Sequence, residues 1–230
     1  MKKTTCLRFL MYYFTLSLFF GGVGFGGETE SLPNEVRWVR KSEEYPMLCQ
    51  QVFKHAREVI GKAMKGNKGV ANLAVVVDLD ETILDNSLYQ VERWKAGLSF
   101  AQESWSIWVN RKEAGLVPGA QKFLKGVRKK GVRIVFLSNR MANNLEPTKE
   151  NLKILDVLDS KDLFLLRLDK SDTKGVRRAE VLEGTGRMKK IGPLRVIGYV
   201  GDQVGDFPAD PLNALSKTNF LLPNPMYGKW

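Results

Sequence analysis

Cysteine is nearly absent from this chain of 230 residues, which holds Cys6 and Cys49 alone. Two cysteines cannot make a disulfide framework, whatever the compartment. Histidine is scarcer still, with His55 as the single example. A hydrolase that pairs a phosphohistidine with a second catalytic histidine cannot be built from one imidazole. Zinc or binuclear-iron centres that need several histidines are disfavoured for the same reason. An aspartate-based chemistry passes this filter. Acids are outnumbered, 25 against 36 lysines and arginines, for a net charge of +11. A basic surface attracts phosphorylated ligands, anionic envelopes or nucleic acid, although a solvated basic face gives the same count. The densest cluster is Lys122, Lys125, Arg128, Lys129 and Lys130, interleaved with Phe123, Leu124 and Val127. It reads as the outer face of a helix.

Long uncharged runs are also scarce, and the longest lies at the start. Lys2, Lys3 and Arg8 precede the apolar run Phe9 to Phe20, and Gly21 to Gly27 follow. A charged start, an apolar core and a small-residue exit are the parts of a secretory signal. Residues 1–27 are therefore expected to be a signal peptide, cleaved after Gly24 or Gly26. An uncleaved anchor is the alternative, because 9–27 carry no charge and nearly reach spanning length. Without the three leader cations the balance is +8. The remaining 28–230 suffice for one α/β domain with a sizeable core.

The chain is organised around Ala74-Val75-Val76-Val77-Asp78-Leu79-Asp80-Glu81-Thr82. A short β-branched run predicts a fully buried strand. In parallel sheets the chemistry sits just beyond the carboxyl ends of the strands. Asp78 at the tip and Asp80 in the turn can then face one pocket. Two carboxylates forced together need a shared proton or a hard cation. An oxygen-only Mg²⁺ site fits, since a substrate phosphate can complete it. Asp78 would be a nucleophile that forms an aspartyl-phosphate. Asp80 would protonate the leaving oxygen and then deprotonate water. The plainer alternative is a strand-end turn whose acids cap the next helix.

The string Asp78-Leu79-Asp80-Glu81-Thr82 resembles the first motif of the haloacid dehalogenase superfamily. Its extension through Ile83-Leu84-Asp85-Asn86-Ser87 resembles the class C acid phosphatase branch, which includes bacterial surface-lipoprotein 5'-nucleotidases. Those lipoproteins carry lipid on a cysteine just after the apolar run, whereas Cys6 precedes it here. Trp38 to Tyr45, with Gln51 and Ala56, resembles the branch's helix ahead of the first motif. That helix is expected over about 34–66, with Leu48, Val52, Ala56, Val59, Ile60 and Ala63 on its buried face and His55 bordering it.

Further motifs follow in order. A strand from Val132 to Leu137 ends in Ser138-Asn139-Arg140. A hydroxyl and the following main-chain N–H groups at a strand tip can donate to phosphate oxygens. This matches the superfamily's second motif. After a strand at 163–167 comes Asp169 to Arg178, with Asp172 as a fair N-cap. A lysine in that helix's first turn opposes the dipole, so a nearby anion must favour it. Lys174 matches the third motif's lysine, and Lys170 is the rival. A strand at 194–200 ends in Gly201-Asp202 with Asp206 four residues on, which matches the fourth motif. Asp202 should ligate the metal, and Asp206 should ligate or support it. The stretch 88–117 holds Tyr89, Trp94, Phe100, Trp105 and Trp108. It reads as a small helical cap, with core packing as the alternative for most of these rings. The tail Leu222 to Gly228 resembles the family segment whose Tyr227 stacks on a nucleobase, with Trp94 as an opposite wall.

The expected fold is therefore an α/β three-layer sandwich of the haloacid dehalogenase type, with a parallel sheet and the small cap. The resemblance implies an exported, Mg²⁺-dependent phosphomonoesterase that acts on nucleoside monophosphates and not on nucleic acid polymers. Its phosphate-binding residues would be Thr82, Ser138, Asn139 and Lys174. Its metal ligands would be Asp78, Asp80 through its carbonyl, Asp202 and Asp206. A membrane enters only through an uncleaved leader. The rivals are a phosphatase for sugar or lipid phosphates and a non-catalytic envelope or storage protein on the same fold. The sequence does not give the oligomeric state.

Overall fold

Five apolar residues with no polar face, Leu73–Val77, form strand β1, and all five are buried. The computed structural model describes residues 32–67 and 69–228, so the expected leader lies outside the described residues. In chain order, α1 (Asn34–Lys41) and α2 (Glu44–Gly66) precede β1. Then come β2 (Leu84–Asp85), α3 (Ser87–Lys95), α4 (Gln102–Arg111), β3 (Gly115–Leu116) and α5 (Ala120–Arg128). Next are β4 (Arg133–Met141), α6 (Leu145–Ile154), β5 (Leu163–Arg167), α7 (Lys174–Glu183), β6 (Arg195–Gly201) and β7 (Asn219–Leu221).

The main sheet has the order β5-β4-β1-β6-β7 and is parallel throughout. β1 is the central strand, flanked on both sides, which explains its unbroken hydrophobicity. Its pleat divides the core. Val75 and Val77 join α2 and α5 on one face through Phe53, Ile60, Phe123 and Leu124. Ala74 and Val76 face the other way, toward Val181 of α7 and Met188. The three layers follow from this alternation. Parallel pairing sets all carboxyl ends on one edge. Val77 stands beside Phe136 of β4 and Val200 of β6, so Asp78, Ser138 and Asp202 emerge together.

Three expectations about the helices need correction. The helix expected over 34–66 is two helices. Ser42 adopts an extended backbone that ends α1, and its hydroxyl accepts from the Tyr45 N–H at 3.2 Å to restart the chain as α2. The buried stripe of α2 is Tyr45, Cys49, Phe53, Ala56 and Ile60. Leu48 is 41% exposed, while Phe53 is 2% exposed. Apolar residues on two adjacent stripes make the phase ambiguous in sequence; the larger ring is the one buried, against Phe123 at 5.1 Å between centroids. The N-cap of α7 is Thr173, whose side chain accepts from Val176 N–H, and not Asp172. Asp172 instead pairs with Arg187 at 2.9 Å and accepts from Leu168 N–H. His55 is exposed on α2 and contacts the Ser216 carbonyl at 3.0 Å.

The aromatic stretch folds as α3, a turn through Gly97 and α4, and returns by β3 paired antiparallel with β2. Tyr89, Trp105 and Trp108 are buried in the main core, whereas Phe100 is exposed and Trp94 half-buried. Among the described residues no helix is long and apolar enough to cross a membrane.

The phase of α2 is testable by urea unfolding. Phe53→Ala should lower stability by about 3–5 kcal/mol. Leu48→Ala should change it by less than about 0.5 kcal/mol. Equal losses would mean that the helix buries the other stripe.

Candidate active site

The site begins where β1 runs out. Asp78 N–H still donates to the Val200 carbonyl at 2.9 Å, so the residue is fixed by the sheet. Its side chain is buried beside those of Asp202 and Asp206, and one carboxylate oxygen from each falls within 4.8 Å of the others. Asp202 follows β6 directly. Asp206 returns to the same point because the chain makes a tight turn after β6. Gln203 N–H donates to the Asp206 carboxylate at 2.9 Å, and a Cβ on Gly201 would lie 2.3 Å from an Asp206 oxygen. Glycine at 201 is what lets the third acid of this cluster, Asp206, fold back.

Lys174 answers the charge. Its ammonium donates to Asp78 Oδ1 at 2.7 Å and to Asp206 Oδ1. Two carboxylates, close to the first turn of α7, thus favour a cation at the wrong end of a helix dipole. Lys170 is exposed on the preceding turn, and its carbonyl accepts from Arg167. Burial raises Asp78 well above the ordinary carboxylate value, Asp206, Asp202 and Asp80 add to this, and Lys174 opposes them. Burial and Asp206 push Asp202 up to about 6. Burial alone would lower Lys174, but Asp78 and Asp206 hold it above its usual value. One ammonium against three carboxylates leaves an excess of negative charge, and an all-oxygen set of this kind suits a hard divalent cation. The donor set therefore fits Mg²⁺.

Asp80 sits apart from that cluster. Its Oδ1 accepts from Arg140 Nε at 2.9 Å and Asn86 Nδ2 at 3.0 Å, and Arg140 Nη2 lies 2.8 Å away as an ion-pair contact. Its Oδ2 faces the Ser138 hydroxyl at 3.4 Å. Among the described residues no main-chain N–H donates to its carbonyl. Thr82 is fully buried and its hydroxyl donates to Asp202 Oδ1 at 3.3 Å. The Asn139 side chain turns to Arg177, whose Nη2 donates to it at 2.7 Å.

A sequence model of the HAD superfamily, subfamily IIIB (acid phosphatase), matches residues 28–230. The chain belongs to this family. A crystal structure of the class C acid phosphatase from Bacillus anthracis with tungstate bound superposes with a TM-score of 0.74 at 29% identity, over 85% of this chain and 84% of that one. A stem 31 kDa glycoprotein of Glycine max is 29% identical over 66% of this chain. Vegetative storage protein 1 of Arabidopsis thaliana is 27% identical over 80% of it. The matched stretch spans 58% of the soybean protein and 68% of the Arabidopsis one.

In this acid phosphatase family member the structure brings Asp78, Asp202 and Asp206 together, with Lys174 bonded to Asp78 and Asp206, Thr82 bonded to Asp202, and Asp80 and Ser138 paired beside them. Tyr227, half-buried in the tail, donates its hydroxyl to Glu81 Oε2, and Glu81 Oε1 accepts from Asn86 N–H at 2.9 Å. Trp94 on α3 makes no ring contact with Tyr227 among the described residues. Sequence reasoning missed Arg140, Asn86, Asn224 and Arg177. Asn224 Nδ2 donates to Asp202 Oδ2 at 2.8 Å, from inside the tail that the resemblance covers. Arg140 follows Ser138-Asn139 directly, and Asn86 lies within the extended first motif. The signal was their adjacency to motifs; their partners are remote in sequence.

The raised Asp202 has a stability consequence. As pH climbs past the ordinary 3.8, the unfolded chain loses this proton while the folded protein keeps it to about 6. The unfolded state then binds fewer protons, so stability falls between about pH 4 and pH 6 and levels off above. The displacement corresponds to roughly 3 kcal/mol. In chelator, Asp202→Asn should match the parent near pH 4 and exceed it by roughly 2–3 kcal/mol at pH 7. Urea midpoints at both pH values check this; a difference independent of pH would contradict it.

Proposed function

We propose that this protein is a Mg²⁺-dependent phosphomonoesterase, a 5'-nucleotidase in preference, that acts outside the cytoplasm after export by its leader. The observation that carries the reading is the Asp78 carboxylate. It is buried at the carboxyl end of the central strand, 2.7 Å from the Lys174 ammonium and grouped with Asp202 and Asp206. No capping role accounts for it, because the turn after β1 leads to β2 and not to a helix.

Asp78 attacks phosphorus and becomes the aspartyl-phosphate, and the ester oxygen leaves with a proton from Asp80. Water then attacks the phosphoryl group, Asp80 takes the water's proton, and Asp78 is released with inorganic phosphate. Lys174, the Ser138 hydroxyl, Thr82 and the Asn139 main-chain N–H orient and neutralise the phosphoryl oxygens. Positioning and charge neutralisation are the main demands of phosphoryl transfer. Mg²⁺, held by Asp78, the Asp80 carbonyl and Asp202 with Asp206 in support, would supply the remaining positive charge for a phosphate dianion. The structure of the Bacillus relative has tungstate bound, a tetrahedral oxyanion, which accords with a phosphate-like ligand for this family. A storage role, suggested by the Arabidopsis relative's name, would not need this acid set.

The nucleotide preference rests on the tail. Tyr227 is half-buried and anchored through Glu81 to the first motif, and its ring would stack on the base. The insertion of α3 and α4 serves as the cap, with Trp94 as the opposing wall. Stacking is worth roughly 1–3 kcal/mol per base and tolerates any base.

Two experiments test the proposal. Purified protein should release phosphate with Mg²⁺ and stop in excess chelator, and Asp78→Asn should lose several orders of magnitude. Retention of more than about a tenth of kcat, ~1.4 kcal/mol of barrier, would remove Asp78 as nucleophile, and full activity in chelator would remove the metal. Separately, Tyr227→Ala should raise KM for nucleoside 5'-monophosphates about tenfold, within the stacking range, and leave glycerol phosphate little changed. Equal losses on both would make Tyr227 a packing residue, and a parent preference for sugar or glycerol phosphates would end the nucleotidase reading.

A further inference from the structure

A fully buried arginine next to the general acid has no part in the scheme above. Arg140 is 1% exposed. Its guanidinium meets Asp80 Oδ1 through both Nε and Nη2, at 2.9 and 2.8 Å. Asn86 Nδ2 adds a second hydrogen-bond donor to the same oxygen at 3.0 Å. Oδ1 is thereby occupied by two donors and the guanidinium charge, and among the described residues Oδ2 has the Ser138 hydroxyl alone, at 3.4 Å. A proton arriving on this carboxyl must go to Oδ2.

Arg140 is itself held on every side. Nη1 donates to Thr148 Oγ1 at 3.0 Å and Nη2 to Asn86 Oδ1 at 3.3 Å. The guanidinium carbon lies 5.8 Å from the centre of the Trp105 ring. Asn86 is fixed in turn by Trp108 Nε1 at 2.9 Å and by the Leu84 carbonyl at 3.2 Å. Such a charge is expensive to bury without a purpose for its geometry. A lysine at 140 would supply charge without the planar fork that fixes which oxygen is occupied.

We propose that Arg140 is the positioning residue of the proton-transfer step. It occupies Asp80 Oδ1, so that Oδ2 carries the proton and presents it to the leaving oxygen. In the first half-reaction the bond from Asp78 to phosphorus forms and the phosphorus–ester oxygen bond breaks. The proton on Oδ2 moves to the departing alkoxide. In the second half-reaction the same oxygen takes a proton from water. This inference rests on the phosphatase reading and goes beyond it in one respect: the benefit of Arg140 must scale with how badly the leaving group needs a proton. A nucleoside or glycerol alkoxide needs one, and p-nitrophenolate does not.

The test is leaving-group dependence of kcat/KM, which reports phosphorylation of Asp78. General acid catalysis is worth about 10²–10⁴-fold. Arg140→Gln should therefore lose about 100-fold or more on an alkyl phosphomonoester and less than about fivefold on p-nitrophenyl phosphate. Arg140→Lys should fall between the parent and Arg140→Gln on the alkyl ester. Equal losses on both esters, or no loss on the alkyl ester, would overturn the proposal. Circular dichroism establishes that each variant is folded. If both variants fail to fold, Thr148→Val removes the Nη1 anchor alone, with no change of shape at Asp80. It should show a loss confined to the alkyl ester; an equal loss on both esters or no loss counts against Arg140. Should the parent lack Asp78-dependent hydrolysis of either ester, it is the phosphatase reading that fails, a result distinct from these.

Discussion

Like charge on one sheet edge is the constraint from which the rest of this structure follows. Parallel register delivers Asp78 and Asp202 to adjacent strand ends, and a glycine turn folds Asp206 back between them. At the separations seen here, an ionised pair repels by roughly 3–4 kcal/mol at an effective dielectric near 20. The sheet holds them regardless, since moving Asp78 would break the β1–β6 ladder. Lys174 at the first turn of α7 is the compensation the chain itself supplies. It sits against its helix dipole because two carboxylates outweigh that dipole. A site built this way is short of positive charge and favours binding of a divalent cation.

A second layer of charge controls orientation. Two buried guanidiniums flank the end of β4. Arg177 donates to the Ser138 and Leu165 carbonyls and to the Asn139 side chain. It thereby ties the Ser138 carbonyl of the second motif to α7. Arg140 takes the opposite side and binds Asp80. Both arginines lie in the same chain segments as the motifs they serve, so the sites are wired locally in sequence and globally in space.

That wiring explains what could be read without coordinates. β1 and the acids after it were legible because a buried parallel strand leaves an unmistakable apolar run with a polar end. The order of the motifs gave the sheet edge, and the offset from Arg177 selected Lys174. The face of α2 was legible in part: Ala56 and Ile60 are buried and Val52, Val59 and Ala63 pack against the core, whereas Leu48 is exposed and Phe53 is buried instead, because the partner ring, Phe123, is set by tertiary packing. The break at Ser42 was hidden for a similar reason: a serine inside a long amphipathic pattern costs too little helix propensity to signal a stop. Thr173 outcompeted Asp172 as N-cap because Asp172 is drawn to Arg187, fifteen positions away. Arg140 and Asn86 were present in the quoted strings, yet their function depends on a contact between residues 54 apart, which no local pattern encodes.

The insertion of α3 and α4 then takes on two tasks at once. Trp108 and Trp105 are core rings by burial, and they also terminate the chain of contacts that runs through Asn86 and Arg140 to Asp80. Trp94 and Phe100 of the same insertion remain solvent-accessible. On the proposed mechanism, one element would thus carry outward rings that select a leaving group and inward rings that steady the group that protonates it. A single packed unit cannot shift its outer rings without transmitting strain inward, because its interior is close-packed. Changes in this insertion should therefore alter substrate preference and proton transfer together, which gives a physical reason for substrate choice and leaving-group chemistry to be coupled in this fold.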